Sequence, residues 1–172
     1  MITLKEADIK ANRYWTVITE PTVEPISLTD VKNFTRIDGV DEDSLLTDFI
    51  ITVRKATENY LNRSLITQTI RLCFDDWNSY TIELPRPPLI SISSIETIDE
   101  DNTATTYATT NYYAVSESIP GKVVIKTGCT MPENTSLREV GGYRITYTAG
   151  YGATAISVPY AIRQGMLIWV SY

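Results

Sequence analysis

Reactive side chains are sparse in this chain of 172 residues, which contains no histidine. Without imidazole there can be no Ser-His-Asp or Cys-His triad, no histidine-ligated zinc and no imidazole general base. Carboxylate chemistry remains. Asp75, Asp76 and Glu83 could supply an acid pair for glycosidase-type hydrolysis, and that reading requires a deep pocket in which two carboxylates converge. Asp38, Asp41, Glu42 and Asp43 form an acidic group that invites a divalent cation, but they lack the alternating ligands and the glycine of an EF-hand loop. They suit the start of a helix better, where negative charge complements the macrodipole. Asp99, Glu100, Asp101 and Asn102 read as a solvated hairpin tip. Gly141, Gly142, Gly150 and Gly152 make neither a phosphate loop nor a dinucleotide fingerprint. Cys73 and Cys129 fit no ligand or redox spacing and read as buried or semi-buried thiols in a reducing compartment. These residues point to no catalytic, metal or cofactor site.

Composition narrows the partners. The net charge is −6, with 15 basic and 21 acidic residues, and no basic run is available for gripping nucleic acid through its phosphates. The 11 tyrosines are spread through the β-rich half without the interleaved Lys or Arg of a single-strand stacking platform. Only Lys122, Lys126 and Arg144 are near them. Hydrophobic residues make up 43% and charged residues 21% of the chain, the balance of a globular protein, and the length suits one domain. The N-terminus lacks the apolar core of a signal peptide, and no run is long enough for a spanning helix. The expectation is a soluble protein made in a cytoplasm, with no membrane partner.

The elements follow from hydrophobic period and punctuation. Ser27-x-x-Asp30 resembles a capping box, with Ile26 and Val31 at the staple positions. Leu28, Val31 and Phe34 continue a short helix that Asp38-Gly39 stops. A second helix follows, in which Leu45, Leu46, Phe49, Ile50, Val53, Ala56, Tyr60 and Leu61 form an apolar stripe and Asn62 ends the helix. From Ile66 the period changes to two. Strands are expected at 66–74, 80–84, 89–99 (with a change of face near Ser93-Ser94), 112–115, 122–125 and 143–148. A short extended segment is expected at Tyr14–Ile18, ahead of the helices. Val158-Pro159 opens a terminal helix whose Ile162, Met166 and Trp169 share a face. The predicted fold is α+β: a small helical bundle (27–63 and 158–172) bracketing a β insertion (65–149) of about six short antiparallel strands. Leu28, Val31, Phe49, Val53, Tyr60, Ile162 and Met166 are its expected core, because each apolar stripe needs a partner.

Six segments, taken in order, resemble the head–tail connector family of tailed phages, the adaptor or head-completion proteins under the portal, with prophage and gene-transfer-particle relatives. They are Pro25-Ile-Ser-Leu-Thr-Asp-Val-Lys32, Arg36-Ile-Asp38 with Asp41-Glu-Asp43, Arg63-Ser-Leu-Ile-Thr-Gln68, Leu84-Pro-Arg-Pro-Pro-Leu89, Tyr147-Thr-Ala-Gly-Tyr-Gly152 and Val158-Pro-Tyr-Ala-Ile-Arg-Gln164. They run from about Pro25 to the C-terminus, and their order and spacing carry the likeness more than any one piece does.

The resemblance implies a structural virion protein of the neck rather than an enzyme, made in a bacterial host. It implies a ring, as a dodecamer, that extends the portal channel and docks the next neck or stopper protein. DNA would pass through without specific binding, consistent with an acidic wall. In isolation the chain is expected as a monomer or small oligomer. By position in the family, Arg163, Trp169 and Tyr172 are expected on the portal side. The alternative is another capsid or tail accessory binding module.

Overall fold

The computed structural model describes residues 13–171. The expected α+β architecture is present: three α-helices and eight strands in two antiparallel sheets. Strand β1 (Arg13–Thr19) comes first, then helices α1 (Leu28–Thr35) and α2 (Asp43–Leu61). The β-rich stretch contains β2 (Gln68–Phe74), β3 (Thr81–Glu83), β4 (Leu89–Ile98), β5 (Ala104–Thr106), β6 (Tyr112–Val115), β7 (Lys122–Ile125) and β8 (Tyr143–Ala149). Helix α3 (Tyr160–Val170) closes the described chain.

The larger sheet has the order β1-β2-β8-β4-β5 and the smaller β3-β7-β6. Alternation places Ile70, Leu72 and Phe74 of β2, Ile95 of β4, and Ile145 and Tyr147 of β8 on one face. That face packs on Ile82, Val123 and Ile125 of the smaller sheet, and all of these residues are buried. A separate apolar cluster lies among the helices: Ile26, Val31, Leu46, Ile50, Val53, Val158, Met166 and Leu167, with Leu65 and Ile66 from the segment entering β2. Leu28 and Ile162 pack against it half-buried.

Capping chemistry explains where α1 starts and α2 ends. The Ser27 hydroxyl accepts from Asp30 N at 3.0 Å, and Asp30 accepts from Ser27 N at 3.0 Å, a complete capping box. Asn62 adopts the left-handed conformation at φ 50° and caps α2. Gly150, at φ 135°, lets the chain turn out of β8 against the backbone of Ile66, where a Cβ would lie 2.6 Å from the Ile66 carbonyl.

Several expectations are corrected. Helix α1 ends at Thr35, before Asp38-Gly39, because Arg36 itself turns left-handed and Ile37 N donates to Lys32 O. Phe49 and Tyr60, expected in the bundle core, are 43% and 83% exposed. The buried face of α2 is Leu46, Ile50, Val53, Arg54, Thr57 and Glu58, which is turned by about one residue, or ~100°, from the stripe of Leu45, Phe49 and Tyr60. Leu46, Ile50 and Val53 of the expected stripe lie on that face, but two charged residues sit inside it as well, so hydrophobicity alone centres the stripe too far round the helix. The β-rich stretch holds seven strands rather than six, the addition being the wholly exposed Ala104–Thr106. Strand β1, from ahead of the helices, adds an edge to the larger sheet by pairing with β2. The change of face expected near Ser93-Ser94 appears as a register shift between Ile92 and Ser94, with a second between Leu89 and Ser91.

Candidate functional site

Of the acidic residues singled out by the sequence, Asp43, Asp75, Glu83 and Asp99 are occupied structurally. Asp43 pairs with Lys32 at 2.6 Å, and the same ammonium donates to Gly39 O, so the α1–α2 turn is closed by a lysine rather than arranged around a cation. No cluster of three or more metal-ligating acidic or thiol side chains occurs among the described residues. Asp75 accepts from Gly141 N at 2.6 Å, and Glu83 pairs with Lys122 at 3.2 Å. A polar cavity of about 150 Å³ between α2 and the larger sheet brings Glu20 and Glu58 together. Arg54 pairs with both of them, which leaves neither as a free acid or base.

That cavity belongs to a charged junction the sequence reading missed. Arg54 pairs with Glu24 at 2.8 Å and with Glu20 and Glu58 at 3.3 Å. The other oxygen of Glu58 accepts from Leu65 N at 2.8 Å and from Gln68 Nε2 at 3.0 Å, tying the end of α2 to the start of β2. Arg86, left-handed at φ 59°, lies over the Trp15 ring at 4.5 Å and donates to Asn59 Oδ1 and to Arg63 O. Burial lowers the Arg86 pKa, opposed by Glu58 and Tyr147, and burial raises that of Glu24 despite the Arg54 partner. The available signal was Arg54–Glu58, an i,i+4 pair on the same face as Ile50, Val53 and Thr57.

The expected portal-side residues do not form one patch. Arg163 turns toward α1: its guanidinium lies over Tyr160 at 5.7 Å, Nε donates to Val158 O, and its charge helps hold Asp30 low. Trp169, six residues on, points about 120° away and lines an apolar groove between α2 and α3. Tyr172 lies outside the described residues. The groove has a volume of about 360 Å³ and is lined by Tyr60, Leu61, Ile162, Gly165, Met166 and Trp169, with Thr57 beside them. Thr57 Oγ1 is buried there without a hydrogen-bond partner among the described residues. Of the lining residues, Tyr60 and Trp169 are exposed at its rim.

The described side chains thus present a partnered charged junction and an apolar groove between α2 and α3. The family model for "head completion protein" matches residues 24–172, and the chain belongs to that family. No curated protein matches it. Among solved structures, a chain of "Virion of native gene transfer agent (GTA) particle" is 20% identical, with a TM-score of 0.76 over 91% of this chain and 81% of that one. A chain of "Neck of empty GTA particle computed with C6 symmetry" is 19% identical, with a TM-score of 0.78 over 92% and 82%. One from "Neck of native GTA particle computed with C12 symmetry" is 19% identical, with a TM-score of 0.67 over 92% and 81%. At these identities the likeness is one of fold.

Proposed function

We propose that the chain is a non-enzymatic neck protein of a phage or gene-transfer particle. It forms a ring, as a dodecamer, beneath the portal, extends the DNA channel and docks the next neck or stopper protein. The observation that carries this is membership of the head completion family over residues 24–172, supported by the neck particles named in the structural likenesses. The net charge of −6 suits a channel component that lets DNA slide. The portal side is α3. Its groove, with Trp169 at the edge and the unpartnered Thr57 hydroxyl within, suits an apolar portal side chain accompanied by one hydrogen-bond donor or acceptor. Arg163 and Tyr172 are assigned to the portal side by their position in the chain alone.

Electron cryomicroscopy of the assembled particle tests the reading. The expected result is a closed ring of this chain coaxial with the portal, with α3 toward it. A position on the outer capsid surface, away from the DNA path, would overturn it. Gly165→Leu fills the groove and is expected to stop neck completion while leaving the isolated chain folded.

A further inference from the structure

A second groove, of about 610 Å³, opens where the smaller sheet stops short of β1. Trp15 on β1 is paired with Leu72 on β2, so both face the space between the sheets. One wall is Arg13, Trp15 and Leu72. The other includes Leu61 and Arg63 at the end of α2, and Ile119 and Pro120 of the loop before β7. The groove is net basic on an acidic protein. Its single carboxylate, Glu83, is paired with Lys122. Arg13 lies over the Phe74 ring and Arg63 donates to the Tyr151 hydroxyl, and neither has an ion-pair partner among the described residues.

The complementary surface is at the other end of α2. The turn before that helix presents Asp38, Asp41 and Glu42, which have no ion-pair partner among the described residues, around Val40, which is 74% exposed. Lys32 holds the turn in shape by gripping Gly39 O and Asp43. Helix α2 has 19 residues, which at 1.5 Å per residue separates turn and groove by about 28 Å. The turn therefore cannot fill the groove of its own chain.

We infer that the acidic turn Asp38–Glu42 of one copy inserts into the Arg13/Arg63/Trp15 groove of the next, Val40 meeting Trp15 and Ile119 while the carboxylates meet the two arginines. Donor and acceptor lie at opposite ends of one rigid helix. The contact is thus head-to-tail, the kind that propagates and closes into a ring when the rotation permits. It deepens the neck reading by naming the lateral contact, and rests on that reading for closure. The contact is weakened by salt because its charges are exposed.

The test is disulfide trapping of the isolated chain at high concentration, in a Cys129→Ser background with the buried Cys73 retained. Val40→Cys combined with Ile119→Cys is expected to give, on mild oxidation, a ladder of dimers, trimers and larger species on a non-reducing gel. Either cysteine alone stops at a dimer. Arg63→Glu should lower the yield of the ladder several-fold, as should Arg13→Glu, an exposed position whose change leaves the fold intact by circular dichroism. Adding Asp41→Arg to the Arg13→Glu chain should restore the yield. A double-cysteine chain that gives no more than its single-cysteine parents overturns the contact, as does a ladder indifferent to both charge reversals. A chain located in the neck ring with residues 40 and 119 of neighbours far apart refutes the contact alone. A charge-dependent ladder from a chain absent from the neck refutes the neck reading alone.

Discussion

Replacing Arg54 with methionine removes the cation around which three carboxylates are gathered. The side chains of Arg54 and Glu58 are 4% and 7% exposed, Glu24 is 24% exposed and Glu20 is 54% exposed. Glu20 contributes little, being half in water. The Glu24 and Glu58 contacts are enclosed, and breaking a buried pair from one side costs about 3–5 kcal/mol because the other charge is stranded. For a chain of this size that lowers the melting temperature by about 6–20 °C. The sign with pH follows from Glu24. Burial already raises its pKa, and Arg54 opposes that rise. Without Arg54 the rise is larger, and the folded state binds protons that the unfolded state does not. The stability deficit of Arg54→Met is therefore greatest at neutral pH and shrinks as pH falls through the carboxylate range. A second change, Glu58→Gln, keeps an oxygen for Leu65 N and Gln68 but removes one stranded charge, and should recover part of the loss. Urea denaturation followed by circular dichroism, at neutral pH and near pH 5, measures both effects. An Arg54→Met chain within about 1 kcal/mol of the parent at neutral pH, or a deficit independent of pH, would refute the reasoning.

Other outcomes test the packing directly. Ile50→Ala, at a site 3% exposed, should cost about 2–5 kcal/mol, while Phe49→Ala next to it should cost under ~1 kcal/mol; equal losses in chemical denaturation would restore the stripe read from the sequence. Gly165→Ala meets nothing within 4 Å of its new Cβ and should stabilise α3 by about 0.5–1 kcal/mol, read as a rise in melting temperature. Ser27→Ala should cost about 1 kcal/mol by opening the capping box. The Ser27 hydrogen bonds depress the Asp30 pKa, so the parent's advantage is present above the ordinary carboxylate pKa and fades as pH falls through the depressed one; thermal melts across that range check it.

The elements were legible where the physical signal is local. Ser27 with Asp30, Asn62, and the period-two run through Ile70, Leu72 and Phe74 each announce themselves within a few residues. Strand β5 did not, because Ala104, Thr105 and Thr106 are exposed and bury nothing that would impose a pattern. The face of α2 was legible only in part, through Leu46, Ile50 and Val53, for the opposite reason. Arg54 and Glu58 are buried, but their burial depends on Glu24 thirty residues earlier and Gln68 ten residues later, partners that no helical wheel contains. The same holds for Arg86, whose place over Trp15 arises only once β1 has paired with β2. The trio Arg163, Trp169 and Tyr172 came from position in a family tail, and position alone does not say which way a helix faces.

What the charged junction adds to the fold is direction. The two apolar clusters, between the sheets and among the helices, are separate, and apolar packing tolerates repacking so long as volume and patterning are kept. Between them lie contacts that have a fixed geometry. Glu58 takes Leu65 N and Gln68, and Arg86 takes Asn59 Oδ1 and Arg63 O. Backbone bonds link Ser64 N to Pro87 O, Gly150 N to Pro88 O, Tyr151 N to Leu65 O and Thr67 N to Gly152 O. Each fixes an angle as well as a distance. In the proposed head-to-tail contact, the turn lies on the helical part while the groove takes walls from both α2 and the β1 edge. Any rotation of helices against sheets would therefore change the angle between neighbours, and a ring closes only if that angle repeats. A polar junction, fully partnered at Glu58, is the physical means of holding it.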